Sequence, residues 1–289
     1  MDMYSKSARL LRITLQREMR NPLIYIVYLM VILLIFNTFS GVAIWLADNN
    51  DKLNIFELYI MFGESDYTHV IYVLGIVLLA CGRTVYNRSS MYYLMRMDKK
   101  SWIYGNVMYI ILTSVIYNII ILYVLILLCR GYITLDGSWS NALYEACVKD
   151  PMAINIDGVV QASSFRLFFL YNPNVVGFIK LILMVLEGII CGMIMMIFTM
   201  KNRAYYGIAI IFASQFCQLL INAEFGKKKL IAKIWNTVVP VRYFWMSELF
   251  NNGLDLEVLL SIVYLIMVLM FLMYIIRRIN VEYDFWKDE

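Results

Sequence analysis

Charge is scarce in this sequence. Asp, Glu, Lys and Arg supply 16% of its 289 residues, where a soluble globular domain carries about 25%, and 62% of the chain is hydrophobic. So little polar side-chain surface cannot cover so many apolar residues around one water-soluble core, and the composition is that of an integral membrane protein. Histidine is scarcer still, with one copy at position 69, which excludes the His-rich zinc arrangement of metalloproteases. The sequence has no G-x-x-x-x-G-K-[S/T] phosphate loop and no G-x-G-x-x-G turn, so any nucleotide energy must come from another chain. No nucleophile constellation emerges either, and neither a catalytic role nor a cofactor on this chain is expected. Among the five cysteines, Cys81, Cys191 and Cys217 fall in apolar runs, which leaves Cys129 and Cys147 as one pair able to meet outside the membrane rather than a disulfide framework.

What is present is a series of apolar runs, each near the roughly 20 residues needed to cross a hydrocarbon core about 30 Å thick. They cover 22–47, 67–83, 102–129, 175–200, 204–223 and 258–276. The fold class predicted is therefore all-α, with six transmembrane helices and both chain ends on one side. Asn21 and Pro22 suit the cap and first position of the first span. Residues 1–21, 83–101, 201–203 and the tail 277–289 hold 5, 5, 2 and 3 Lys or Arg, which is 15 of the chain's 25. The positive-inside rule places these segments, and both termini, in the cytoplasm. Lys227, Lys228 and Lys229 run against that bias, but long external segments carry less topological weight. The first run continues far past the length of a signal h-region, so no cleavable signal peptide is expected.

Between the spans the sequence divides further. Residues 6–20 interleave Leu10, Leu11, Ile13, Leu15 and Met19 with Arg9, Arg12, Arg17 and Arg20. This pattern suits an interfacial helix in segment 1–21, lying on anionic lipid headgroups before the first span. Spans one to three occupy 22–129, with the basic loop 83–101 inside them. A small external insertion covers 130–174, spans four to six cover 175–276, and a cytoplasmic tail covers 277–289. Within the last group, 224–257 is too apolar for a free loop yet is interrupted by Lys233, Asn236 and Pro240, so it reads as a re-entrant segment packed against the external mouth.

Polar groups inside the spans are the candidate site residues. Lys180 lies near the external end of span four, and Glu187 lies about 18 Å along it at 1.5 Å per residue. An unpaired carboxylate there is costly, so Glu187 must be protonated, paired or turned to a polar interior. The seven-residue spacing puts both on one helix face, too far apart for a direct pair. Gln215 and Gln218 on span five need partners too. These four residues mark either a substrate pathway or subunit interface, or a satisfied packing network. His69, near the outer end of span two, reads as an interfacial residue rather than a ligand.

The loop RSSMYYLMRMDKKSWIYGNVMYIILTS, residues 88–114, resembles a segment of the permease subunits of ABC-2 type ABC transporters. In that family a Gly-Thr and leucine-rich stretch, a basic turn and an apolar run ending in Gly-Lys follow span two. Here Ser89 and Ser90 stand near the Gly-Thr, Leu94 and Met95 in the leucine stretch, Lys99 and Lys100 in the turn, and Gly105 with Asn106 at the Gly-Lys. Arg96 falls roughly where the family has proline, and Asn106 replaces the lysine. The amphipathic start, the external insertion and NTVVPVRYF before the last span follow the family's order.

The resemblance implies a coupling helix gripped by a cytosolic ATPase. Met91, Leu94 and Met95 would bury in the partner's groove, and Arg96, Asp98, Lys99 and Lys100 would form the polar rim. It also implies two ABC ATPase subunits per complex carrying ATP and Mg, and a second permease copy or a related permease. The setting implied is the plasma membrane of a prokaryote, and the cargo class is a peptide, a lipid-like molecule or a small toxic compound. Without the resemblance, the loop suits lipid contact, and the chain suits a membrane scaffold or sensor that binds a cytosolic partner without moving substrate. The basic patches, flanked by spans, suit lipid or protein rather than nucleic acid.

Overall fold

The structure, a computed structural model, describes residues 3–49, 52–64, 66–81, 99–141, 171–201, 203–224 and 255–282. Almost all of these are helical. The helices are α1 (Met3–Glu18), α2 (Pro22–Asn49), α3 (Ile55–Glu64), α4 (Asp66–Cys81), α5 (Lys99–Leu128), α6 (Pro173–Met200), α7 (Ala204–Glu224) and α8 (Asp255–Glu282). Two short strands, β1 (Leu53–Asn54) and β2 (Ile133–Thr134), pair in parallel, Leu53 with Ile133 and Asn54 with Thr134.

Four of the six expected spans, α2, α5, α6 and α8, are long and apolar enough to cross a membrane. Helices α4 and α7 contribute shorter apolar stretches. The start of α2 follows its sequence signal, because the Asn21 side chain accepts the Leu23 N–H at 3.1 Å with Pro22 at the first helical position, where its missing N–H costs nothing. Asn172 caps α6 in the same way, accepting from Asn174 N at 2.9 Å.

Helix α6 is the axis of the bundle. In its most apolar window 67% of residues are buried, against 17–28% in α2, α5 and α8, which turn apolar flanks outward. Gly188 and Gly192 explain how α5 reaches it. A Cβ on Gly192 would stand 2.5 Å from the Ile110 methyl, and one on Gly188 would run into the Ser114 hydroxyl. This small-x-x-x-small spacing lets two helix backbones approach closely where no hydrophobic force drives them together. Because 188 meets 114 and 192 meets 110, the two helices run antiparallel.

One element goes beyond the sequence reading. Helix α3, sequence IFELYIMFGE, lies between the first two apolar runs and is almost wholly buried from Leu58 to Phe62. It begins at Asn54, whose side chain accepts the Phe56 N–H at 2.9 Å as an N-cap does. It packs along α6: Phe56 meets Gly177, and Gly63 meets Lys180 and Met184. The helix expected over 67–83 is α4, described as far as Cys81, and α3 precedes it as an element the apolar runs do not mark.

Helix α1 forms within the segment 1–21 read as amphipathic. Ser7 and Leu10 are buried, while Arg9, Arg12 and Arg17 are exposed. The buried face seats on the start of α5, with Leu10 filling the space beside Gly105, where a Cβ would come within 2.6 Å.

Candidate functional site

The polar groups within the spans are brought together around α3, α4 and α6. Lys180, with no exposed surface, donates from Nζ to the Gly63 carbonyl at 2.8 Å. Thr68 donates its hydroxyl to the Phe62 carbonyl six residues back, farther than helix hydrogen bonding reaches. Two carbonyls at the end of α3 are thus satisfied by side chains, which is why the helix can stop inside an apolar bundle. Lys180 also places a cation at the negative end of the α3 dipole.

Two turns further along α6, Glu187 is 1% exposed. Its Oε1 stands 3.0 Å from His69 Nε2, with both side chains 2% exposed, and accepts from Gln215 Nε2 at 3.1 Å. Its second oxygen, Oε2, makes no hydrogen bond among the described residues. His69 is therefore no interfacial residue: it faces inward from the first turns of α4 and is the partner the Glu187 carboxylate needs. The spacing of Lys180 and Glu187 gains a physical meaning here. Seven residues, about 10 Å along the axis, set the ammonium against the end of α3 and the carboxylate against the start of α4, where each opposes a helix-end partial charge of opposite sign.

A second layer of hydrogen bonds locks the same junction to α5. Tyr59 donates to Asn118 Oδ1 at 2.6 Å, Asn118 Nδ2 donates to the Tyr72 hydroxyl at 3.1 Å, and Tyr72 donates to the Met184 carbonyl. Ser114 donates to the Val185 carbonyl at 2.9 Å. No motif in the sequence marks Tyr59, Tyr72, Ser114 or Asn118. Their signal is only that buried Tyr, Asn and Ser in apolar runs must find partners.

Of the four residues marked as a pathway or subunit interface, three meet in this junction: Lys180, Glu187 and Gln215. The Gln218 side chain lies outside the described residues. No metal-ligand group of three or more His, Cys, Asp or Glu occurs among the described residues.

The end of the bundle that carries the β1–β2 pair is tied by polar contacts that hold β1, α3 and α6 together. Asn54 Nδ2 donates to the Asp136 carbonyl and, at 2.8 Å, to Asn174 Oδ1. Glu57 Oε1 accepts the Ser140 N–H at 2.7 Å, and Trp139 donates to the Tyr171 carbonyl at 2.7 Å. Just past α5, Cys129 is buried as a free thiol. Cys147 lies outside the described residues.

At the opposite end, Ser7 donates to the Ser101 carbonyl at 3.1 Å. Arg277, near the end of α8, donates to the Tyr104 hydroxyl and sits 5.6 Å over its ring. The first turns of α5 are thus held by α1 and α8 together. Met91, Leu94, Met95, Arg96 and Asp98 lie outside the described residues, as do 142–170 of the insertion and 225–254 of the re-entrant segment. Lys99 opens α5 and Lys100 is exposed on it.

Comparison of the chain with family models, curated proteins and solved structures finds no match.

Proposed function

We propose that this chain is the transmembrane subunit of an ATP-driven exporter of the ABC-2 type, with six membrane crossings and both termini in the cytoplasm. ATP and Mg bind to two separate ATPase subunits. Each ATPase grips the segment 91–100 of one permease copy, and the cargo is a peptide, a lipid-like molecule or a small toxic compound. This chain performs no chemistry on the cargo.

One observation carries the reading beyond the sequence resemblance: the place where the coupling segment would join the bundle is braced. Segment 83–98 leads directly into α5, whose first turns are tied to α1 through Ser7 and Leu10 and to α8 through Arg277 and Tyr104. Force applied before Lys99 would therefore move three elements as a unit. From α5 it would pass to α6 across the Gly188–Gly192 contact, where close packing leaves little slack.

The test is purification of the tagged chain from its native membranes. An ATPase carrying a phosphate-binding loop is expected to copurify. Met95→Asp is expected to lower its recovery at least about tenfold, the loss of about 1.4 kcal/mol, while membrane insertion is unchanged. Insertion without any ATPase, or recovery unaffected by Met95→Asp, would overturn this assignment of the interface.

A further inference from the structure

Helix α1 shows its charge on one side. Arg9, Arg12 and Arg17 are exposed on it and Arg20 is exposed in the turn that follows, while Ser7 and Leu10 are buried against the start of α5. Glu18, the one carboxylate in α1, is half-buried and stands half a turn around the helix from Arg9. With Leu10 seated on α5, the outer side of α1 meets its surroundings with arginine and with no exposed carboxylate.

Apolar surface begins where the arginines end. Tyr25, in the first turn of α2, donates its hydroxyl to the Met19 carbonyl at 2.8 Å and so ties the two helices across the turn. Beyond it Ile26, Leu29, Leu33 and Phe36 are each more than half exposed, and their three- and four-residue spacing puts them on one side of α2. Helix α2 is long and apolar enough to cross a membrane from Pro22 onward, so basic residues just before it belong at the level of the headgroups and its exposed side at that of the acyl chains. A cationic end joined to an apolar stripe matches an anionic lipid along its length.

We propose that this edge of α1 and α2 binds anionic phospholipid, with the headgroup phosphates on Arg9, Arg12, Arg17 and Arg20 and the acyl chains along Ile26, Leu29 and Leu33. Arginine suits a phosphate because its planar N–H fork can donate to two phosphate oxygens at once. An acidic protein would satisfy the arginines but leave the apolar stripe uncovered. Lipid fits both parts of the edge. The same helix braces the start of α5 through Ser7, so lipid on its outer side would hold that brace against the leaflet. This inference is independent of the exporter reading, and its test needs no ATPase.

The full-length protein is reconstituted in phosphatidylcholine vesicles with a trace of chain-spin-labelled phosphatidylglycerol or phosphatidylcholine, and electron spin resonance measures how strongly each is immobilised at the protein. The wild type is expected to hold phosphatidylglycerol at least about threefold more strongly. Salt at about 1 M, which cuts the screening length to about 3 Å, is expected to remove most of that preference. Arg9→Gln and Arg12→Gln together are expected to halve it roughly, and adding Arg17→Gln and Arg20→Gln to bring the two lipids to near equality. Arg130→Gln, exposed at the other end of the bundle, is expected to leave the preference unchanged. Equal immobilisation of the two lipids by the wild type would overturn the proposal without reference to any variant. A preference that survives the loss of Arg9 and Arg12, or that Arg130→Gln lowers as much, would overturn the assignment to α1. A wild type without lipid preference that retains a cytosolic protein only while the four arginines are present would give the edge to an acidic protein surface instead.

Discussion

Lys180 is an ordinary lysine in an extraordinary place, a long cationic side chain without solvent exposure inside an apolar helix. Its position follows from one unsatisfied carbonyl. With α3 ending at Glu64, the Gly63 oxygen needs a donor, and the lysine supplies one at 2.8 Å. Lys180→Met keeps the length and apolar stem but removes the donor, so it is expected to destabilise the protein by about 1–3 kcal/mol, the cost of leaving a buried acceptor unsatisfied. Lys100→Met, on the exposed face of α5, is expected to stay within about 0.5 kcal/mol. Equilibrium unfolding in mixed detergent micelles, followed by tryptophan fluorescence, measures both. Equal stability of the two variants would mean that the ammonium contributes nothing to the end of α3. At this scale the sequence was readable as a demand but not as an answer. A carboxylate at mid-membrane depth had to be paired, and Glu187 is. That its partner is His69 was not readable, because His69 lies 118 positions away in the chain and only the packing of α3 and α4 against α6 brings the two together.

The elements divide the same way. Helices α2, α4, α5, α6, α7 and α8 were legible, because long apolar runs bounded by Asn-Pro signals or basic residues have few other conformations open to them. Helix α3 was not. Its ten residues are too short to mark a span, and flanking Asn54, Glu64 and Asp66 make 48–66 resemble an external loop. Only tertiary burial distinguishes it, since Leu58, Tyr59, Ile60, Met61 and Phe62 leave no face for water and a helix apolar all round must be enclosed. The contact between α5 and α6 tests how firmly the elements are coupled. Gly192→Leu places a branched side chain where even a Cβ would stand 2.5 Å from Ile110. It is expected to cost about 1–3 kcal/mol through overpacking, whereas Gly131→Ala, in open space although at φ 103°, acts only through local backbone strain. If Gly192→Leu unfolds at the same denaturant concentration as the wild type, α5 and α6 are not held by close packing at this level.

Across the whole molecule, contacts rather than composition sort the charges into two ends. Ser7 meets Ser101, Tyr104 meets Arg277, and the antiparallel run of α5 and α6 brings Met200 back to the same level. Lys6, Arg9, Arg12, Lys100, Lys201 and Arg278 therefore gather at one end. The other carries fewer basic residues, Lys52 and Arg130, with Asn54, Asp136, Trp139 and Asn172 around the β1–β2 pair. A bilayer would read this asymmetry as an instruction, since basic residues near span ends stay on the cytoplasmic side. The orientation can be measured at two positions. Leu135, 75% exposed beside β2, and Lys100, exposed at the opposite end, are replaced singly by cysteine in a background lacking the native five. A membrane-impermeant maleimide added to intact cells is expected to label the Leu135→Cys variant. It should reach the Lys100→Cys variant only after the cells are permeabilised. The reverse pattern would place the basic end outside, where no cytosolic ATPase could reach the segment before α5. Labelling of both positions in intact cells would mean that the two ends are not separated by the membrane at all.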